Sequence, residues 1–168
     1  MRVLGIDPST HMGVSVVESG GKVLYTDEDV FKKLDGFERI QKLCGKVIEL
    51  KEEFNPDLIV IESMFVGHVS SAITVIQIGS FIRFFLWQEG ILYLDVPPTV
   101  LKKWVVGSGT AKKEQIMMAV LKRWGYESKT NNIADAVGLG MFGLCCLGDK
   151  YSKADQALPS KALSDAGG

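Results

Sequence analysis

Three carboxylates stand where an apolar chain tolerates them least. Asp7 ends the run Leu4-Gly5-Ile6, just before a turn through Pro8-Ser9-Thr10-His11-Met12-Gly13. Glu62 ends Leu58-Ile59-Val60-Ile61, and Asp135 lies in Asn131-Asn132-Ile133-Ala134-Asp135-Ala136, where another apolar stretch opens. Ionised acids are seldom buried unless they are paired or bind metal. Three of them on otherwise buried elements, far apart in sequence, predict one cation site assembled by folding. Neighbouring carboxylates raise each other's pKa unless a cation lies between them. Oxygen donors of this kind suit Mg²⁺, a hard ion. A pair of such ions can activate a water and steady a leaving alkoxide in phosphodiester hydrolysis.

Each acid also has a plainer reading. Asp7 could cap its own turn, and a Gly-x-Asp strand end occurs in sugar-kinase and actin-like ATPases as well. Asp135 could simply favour the first turn of a helix. Glu62 is harder to set aside, because its strand has no other polar residue after Asp57. Lys112 and Lys113 follow the glycine loop Val106-Gly107-Ser108-Gly109-Thr110, where one of them could neutralise charge on a phosphate. A solvated helix face is the rival reading, more so for Lys112. The loop lacks P-loop spacing, so no nucleotide cofactor is expected. His11 lies in the Asp7 turn and is expected to face solvent, and His68 is a lone histidine. Phe65, three residues beyond Glu62, is either a core residue or an exposed aromatic that could stack on bases.

The elements that must hold these residues follow from pattern. Arg2 to Asp7, Gly13 to Glu18 and Lys22 to Asp29 read as an antiparallel meander. Asp35 is placed to cap a helix from Gly36 to Glu53, with Phe37, Ile40, Leu43, Val47 and Leu50 as one apolar stripe. Asp57 to Glu62 reads as a central strand covered on both faces. A long apolar helix starts at Ser70-Ser71 and ends at Gly90, and Ile91 to Asp95 is a further strand. A short helix spans Thr99 to Trp104, a helix capped by Thr110 runs to Trp124, and the last helix covers Asn131 to Leu147. This order predicts an α/β fold, a mixed five-stranded sheet flanked by helices. From Gly148 onward the polar, small residues predict a disordered tail, leaving one domain over 1–147.

Composition agrees with an ordinary soluble protein. The chain has 168 residues, 46% hydrophobic and 23% charged, with net charge −1 and a pI near 6.1. No signal peptide is read at the start, and Ala72 to Leu86 is too short and too polar to span a bilayer. Three cysteines, Cys44, Cys145 and Cys146, lack metal-ligand spacing and suit a reducing cytoplasm. Although the whole chain is neutral, Lys102, Lys103, Lys112, Lys113, Lys122, Arg123 and Lys129 crowd one region, so the local field can attract an anionic partner.

The ordered set Gly5-Ile6-Asp7-Pro8-Ser9 with Gly13, Ile61-Glu62 with Phe65, Gln77-Ile78-Gly79, Leu101-Lys102, Val105 to Gln115, and Ile133-Ala134-Asp135-Ala136 resembles the RuvC-type Holliday junction resolvases. These are dimeric nucleases of the RNase H-like superfamily, and the likeness runs from Met1 to about Leu147. The resemblance implies an RNase H-like fold and a homodimer that cuts four-way DNA junctions. It implies Mg²⁺, two ions per site with Mn²⁺ able to substitute, held by Asp7, Glu62, Asp135 and the residue at 132. By the same resemblance Phe65 probes the open junction centre, and Lys102 and Lys113 lie near the scissile phosphate or backbone, with Lys113 catalytic; the neighbouring Lys103 and Lys112 are expected to add to the DNA surface. The apolar helix after Ser70 would pair the subunits.

One position departs from the family. Its fourth acid stands one helical turn before the last, and here that position is Asn132. An amide offers a metal an oxygen but no full charge, so the resemblance implies an impaired site. Either an engineered Asp→Asn exchange or a natural variant would produce it, and the isosteric Asn favours the former. The rival functions are a junction-binding protein that does not cut and another RNase H-like nuclease acting on branched DNA.

Overall fold

The computed structural model describes residues 1–29, 34, 36–64 and 69–149. Asp35, Phe65, His68 and all of the expected 148–168 tail except Gly148 and Asp149 lie outside the described residues; Asp149 accepts the Gly20 N–H at 3.0 Å. Strands β1 (Arg2–Asp7), β2 (Met12–Glu18) and β3 (Lys22–Asp29) form the antiparallel meander, followed by helix α1 (Gly36–Phe54), β4 (Leu58–Glu62), α2 (Val69–Gln88) and β5 (Tyr93–Val96). Helices α3 (Pro98–Val106), α4 (Lys113–Trp124) and α5 (Asn131–Cys146) complete it. The five strands lie in the order β3-β2-β1-β4-β5, with β4 and β5 parallel to β1. The expected α/β fold with a mixed five-stranded sheet is therefore the observed one.

Strand alternation divides the core in two. Val3, Val17 and Val60 point to the face covered by α3, α4 and α5. Leu4, Ile6, Val14, Val16, Ile59 and Ile61 point to the face covered by α1 and α2. Both faces of β1 and β4 are covered, which is why those strands read as nearly unbroken apolar runs.

Helix α5 approaches the sheet closely because glycines face it. A Cβ on Gly5 would meet the Ala136 carbonyl oxygen and lie 2.7 Å from the Gly140 nitrogen. One on Gly143 would lie 2.6 Å from both Val3 and Val60. The buried Ser15 hydroxyl adds a bond, donating to the Ala136 carbonyl at 2.8 Å.

Three local expectations need correction. Phe37 is not in the buried stripe of α1; it is 71% exposed and meets Phe81 edge-on, whereas Ile40, Leu43, Val47 and Leu50 are buried. It sits at the first turn of α1, before the helix has reached the sheet. Thr110 does not cap α4: the helix begins at Lys113, and Lys112 at the cap position donates its backbone N–H to Gln115 Oε1 at 2.7 Å. The last strand starts two residues later than expected, at Tyr93, because Ile91 closes the end of α2 by donating its N–H to the Leu86 carbonyl. Among the described residues no helix is long and apolar enough to cross a membrane.

Candidate active site

The sheet register brings two of the three acids together. Ile6 pairs with Ile61, so continuing the parallel ladder by one residue sets Asp7 beside Glu62 at the strand ends. Both then point to the face beneath α5, since Val3 and Val60 do so and side chains alternate along a strand. Asp135 comes down onto them from the second turn of α5. The start of that helix is defined by Thr130, whose hydroxyl accepts the Ile133 N–H at 3.2 Å. Gly13, paired with Asp7 across β1 and β2, makes room for it: a Cβ there would strike the Asn132 carbonyl.

The three acids share one buried environment. Asp7 is only 7% exposed, and its carboxyl is pushed well above the ordinary range by burial, then by Glu62 and Asp135, with Lys113 opposing. Burial raises Glu62 to about 7, reinforced by Asp135 and opposed by Lys102 and Lys113. Asp135 rises to about 6, mainly through burial, against the same two lysines. No hydrogen-bond donor among the described residues relieves the Asp7 carboxylate. Among them, no three carboxylate, histidine or cysteine side chains close on a common point as ligands. A buried carboxylate without a donor, beside two more acids, is a donor set of hard oxygens that fits a divalent ion.

Two lysines reach this centre. Lys113 is the first residue of α4, and its charge acts on all three acids. Lys102, on α3, acts on Glu62 and Asp135. Lys103 and Lys112 are exposed and are not among the charges acting on the acids. His11 is exposed.

Two residues near the centre were not legible as such in the sequence. Arg83 on α2 donates to the Glu62 carbonyl at 2.9 Å, to the Gly79 carbonyl at 2.9 Å and to Asp95 at 3.0 Å. It thereby ties the end of β4 to β5 and α2. Glu28, on β3, accepts from Asn132 Nδ2 at 2.8 Å. Its charge also reaches Asp7. The run Thr26-Asp27-Glu28-Asp29 looks like a solvated edge, and only the pairing of Glu28 with Gly13 sets it in line with Asp7.

Known proteins share much of this sequence and its fold. The chain is 34% identical over 149 residues to the crossover junction endodeoxyribonuclease RuvC of Chloroflexus aggregans, covering 84% of this chain and 91% of that one. The RuvC of Synechococcus sp. strain WH7803 is 27% identical over 154 residues, covering 85% and 97%. Among solved structures, Thermus thermophilus RuvC in complex with a Holliday junction substrate superposes with a TM-score of 0.71 at 24% identity, covering 84% of this chain and 91% of that one. At that identity the likeness shows the fold. Residues 3–142 match the profile of the family described as crossover junction endodeoxyribonuclease RuvC, and to that family this chain belongs.

Proposed function

We propose that this member of the RuvC family is a homodimeric endonuclease that resolves four-way DNA junctions by paired, Mg²⁺-dependent phosphodiester hydrolysis. The observation that carries the reading is the buried Asp7 carboxylate, without a donor among the described residues and under the charges of Glu62, Asp135 and Lys113. Asp7, Glu62 and Asp135, with Asn132 alongside, would hold the metal. Two Mg²⁺ ions, or Mn²⁺ in their place, supply Lewis-acid stabilisation of the attacking and leaving oxygens. The chain's own residues do the rest. The three acids would set where the metal lies, at the strand ends, and so where a phosphate could be bound. Lys113 offsets negative charge there, and Lys102 does so from the α3 side. Lys103 and Lys112, exposed and farther out, bind backbone phosphates, which makes affinity salt-dependent. Phe65, for which a role at the open junction centre is proposed, lies outside the described residues.

The homodimer is supported by the outer face of α2. Ile73, Gln77, Ser80, Phe84 and Trp87 are exposed and recur at alternating spacings of four and three. That spacing forms a coiled-coil-like seam. A two-fold pair suits a substrate in which two strands must be cut symmetrically.

The test is cleavage of an end-labelled four-way junction beside a matched linear duplex in Mg²⁺. Symmetric nicks in the junction alone are expected. Binding without cleavage, by this chain and by Asn132→Asp in both Mg²⁺ and Mn²⁺, would leave a junction-binding protein in its place. Equal cutting of flapped or branched DNA would assign a different substrate.

A further inference from the structure

The row of residues that carries the acids extends farther across the sheet than the three candidates. Glu62 lies beside Asp7 by extension of the parallel ladder, Asp7 pairs with Gly13, and Gly13 pairs with Glu28. Paired residues of neighbouring strands share a face, so Glu28 points to the same side as Asp7. Two strand spacings, about 10 Å, separate their Cα positions. The glycine between them leaves the gap into which the first turn of α5 settles, and this puts Asn132 over Gly13. There the Asn132 amide meets Glu28 at 2.8 Å. An ionised carboxylate only accepts, so Glu28 selects the amide nitrogen and leaves the Asn132 Oδ1 free for another partner.

We propose that Glu28 supplies the site's fourth negative charge from β3 and orients Asn132, so that position 132 is neutral because a carboxylate already faces it. This inference rests on the metal-site reading above. An Asp at 132 would put two acceptor-only carboxylates at hydrogen-bond distance with no donor between them. Position 132 and Glu28 therefore hold one charge between them, and this chain keeps it on the strand. Of the three acids only Asp7 feels Glu28, and less than it feels Glu62, Asp135 or Lys113, so Glu28 acts on the site from its β3 side. Glu28 is accordingly a positioning residue. The impaired site implied by an amide at 132 is, on this account, a site with its charge relocated.

The experiment titrates Mn²⁺ into the metal-free full chain, without DNA, for the parent, Glu28→Gln, Asn132→Asp and the double variant. Calorimetry and Mn²⁺ paramagnetic resonance give the affinity, and melting without metal gives the stability. A Gln at 28 still accepts from the Asn132 amide but carries no charge. Glu28→Gln is therefore expected to bind Mn²⁺ about 10-fold more weakly, in the range for residues supporting metal ligands. Asn132→Asp alone gains little. Combined with Glu28→Gln it returns to within a few-fold of the parent, a strong departure from additivity. Equal Mn²⁺ affinity in the parent and Glu28→Gln would reduce Glu28 to a clip between β3 and α5 and overturn the proposal. Weakening by Glu28→Gln that Asn132→Asp does not repair would overturn the exchange of charge. If the parent binds no Mn²⁺ at all, the metal-site reading itself fails, an outcome distinct from the others.

Discussion

Helices α5 and α2 are built from similarly apolar residues, yet they bury them differently. From Ile133 to Cys145, α5 is buried everywhere except at Asp135. On α2, Ile78, Ile82 and Leu86 are buried against the sheet, while Ile73 (57% exposed), Phe84 (55%) and Trp87 (72%) face outward. The difference lies in what each helix meets. Glycines at 5, 13, 140 and 143 let α5 sink onto the sheet until backbone nearly touches backbone. Helix α2 packs on the other face beside α1, and only one of its sides is used. Greasiness alone does not tell a core helix from an interface helix. Between Ile133 and Cys145 the single interruption of α5 is a carboxylate of the candidate site; in α2 the one charged residue is Arg83, which braces the strand end carrying another.

Substitutions can break this contrast, beginning with the strongest. Gly5→Ala drives a Cβ into the α5 backbone, where neither atom is the end of a flexible side chain. We expect a loss of at least about 3 kcal/mol, the upper range for overpacking, read by urea unfolding. A change under 1 kcal/mol would show that α5 can lift off the sheet at little cost.

Asp135→Asn leaves that packing intact and removes the charge, so we expect junction cleavage to fall at least about 100-fold, as for loss of a key transition-state group. The metal-free protein should melt no lower than the parent, since a repelling buried acid has gone. A lower melting point with full cleavage would assign Asp135 to the fold alone.

On α2, Phe84→Glu with Trp87→Glu should change monomer stability by less than about 0.5 kcal/mol, as for exposed positions. The same pair should weaken dimerisation by well over 10-fold, the scale of interface hot spots. Sedimentation equilibrium reads the second effect. A dimer that persists unchanged would move the interface elsewhere.

A further effect concerns pH. Glu62 titrates at about 7 and Asp135 at about 6, and Asp7 is also raised, whereas the unfolded carboxyls titrate near about 4. Between these values the folded metal-free chain binds more protons than the unfolded one. Its stability is therefore greatest below about pH 4 for these groups and falls as pH rises towards 7. Melting in a chelator across that window should show the decline, and Glu62→Gln should flatten it. Since bound metal requires deprotonated ligands, Mg²⁺ should stabilise most at the alkaline end. A parent whose stability, relative to Glu62→Gln, rises from pH 4 to 7 would contradict the burial of these acids.

The sequence by itself determined the elements and the three acids. A carboxylate that ends a run of Ile, Val and Leu is costly enough to stand out, and alternation and glycine placement marked the strands. Helix starts were read less well. Thr110 looked like a cap and Phe37 like core, because periodicity says which side of a helix is apolar but not where along its length the sheet begins. Tertiary structure alone decided the rest. It chose Lys113 over Lys112 as the lysine near the acids, and brought Arg83 to Glu62. It also set Glu28 in line with Asp7, through two strand pairings and a glycine that no local pattern connects. The physical reason is reach: propensity and burial act within one element, while register between strands and the descent of a helix onto glycines bring together charges that lie far apart in sequence.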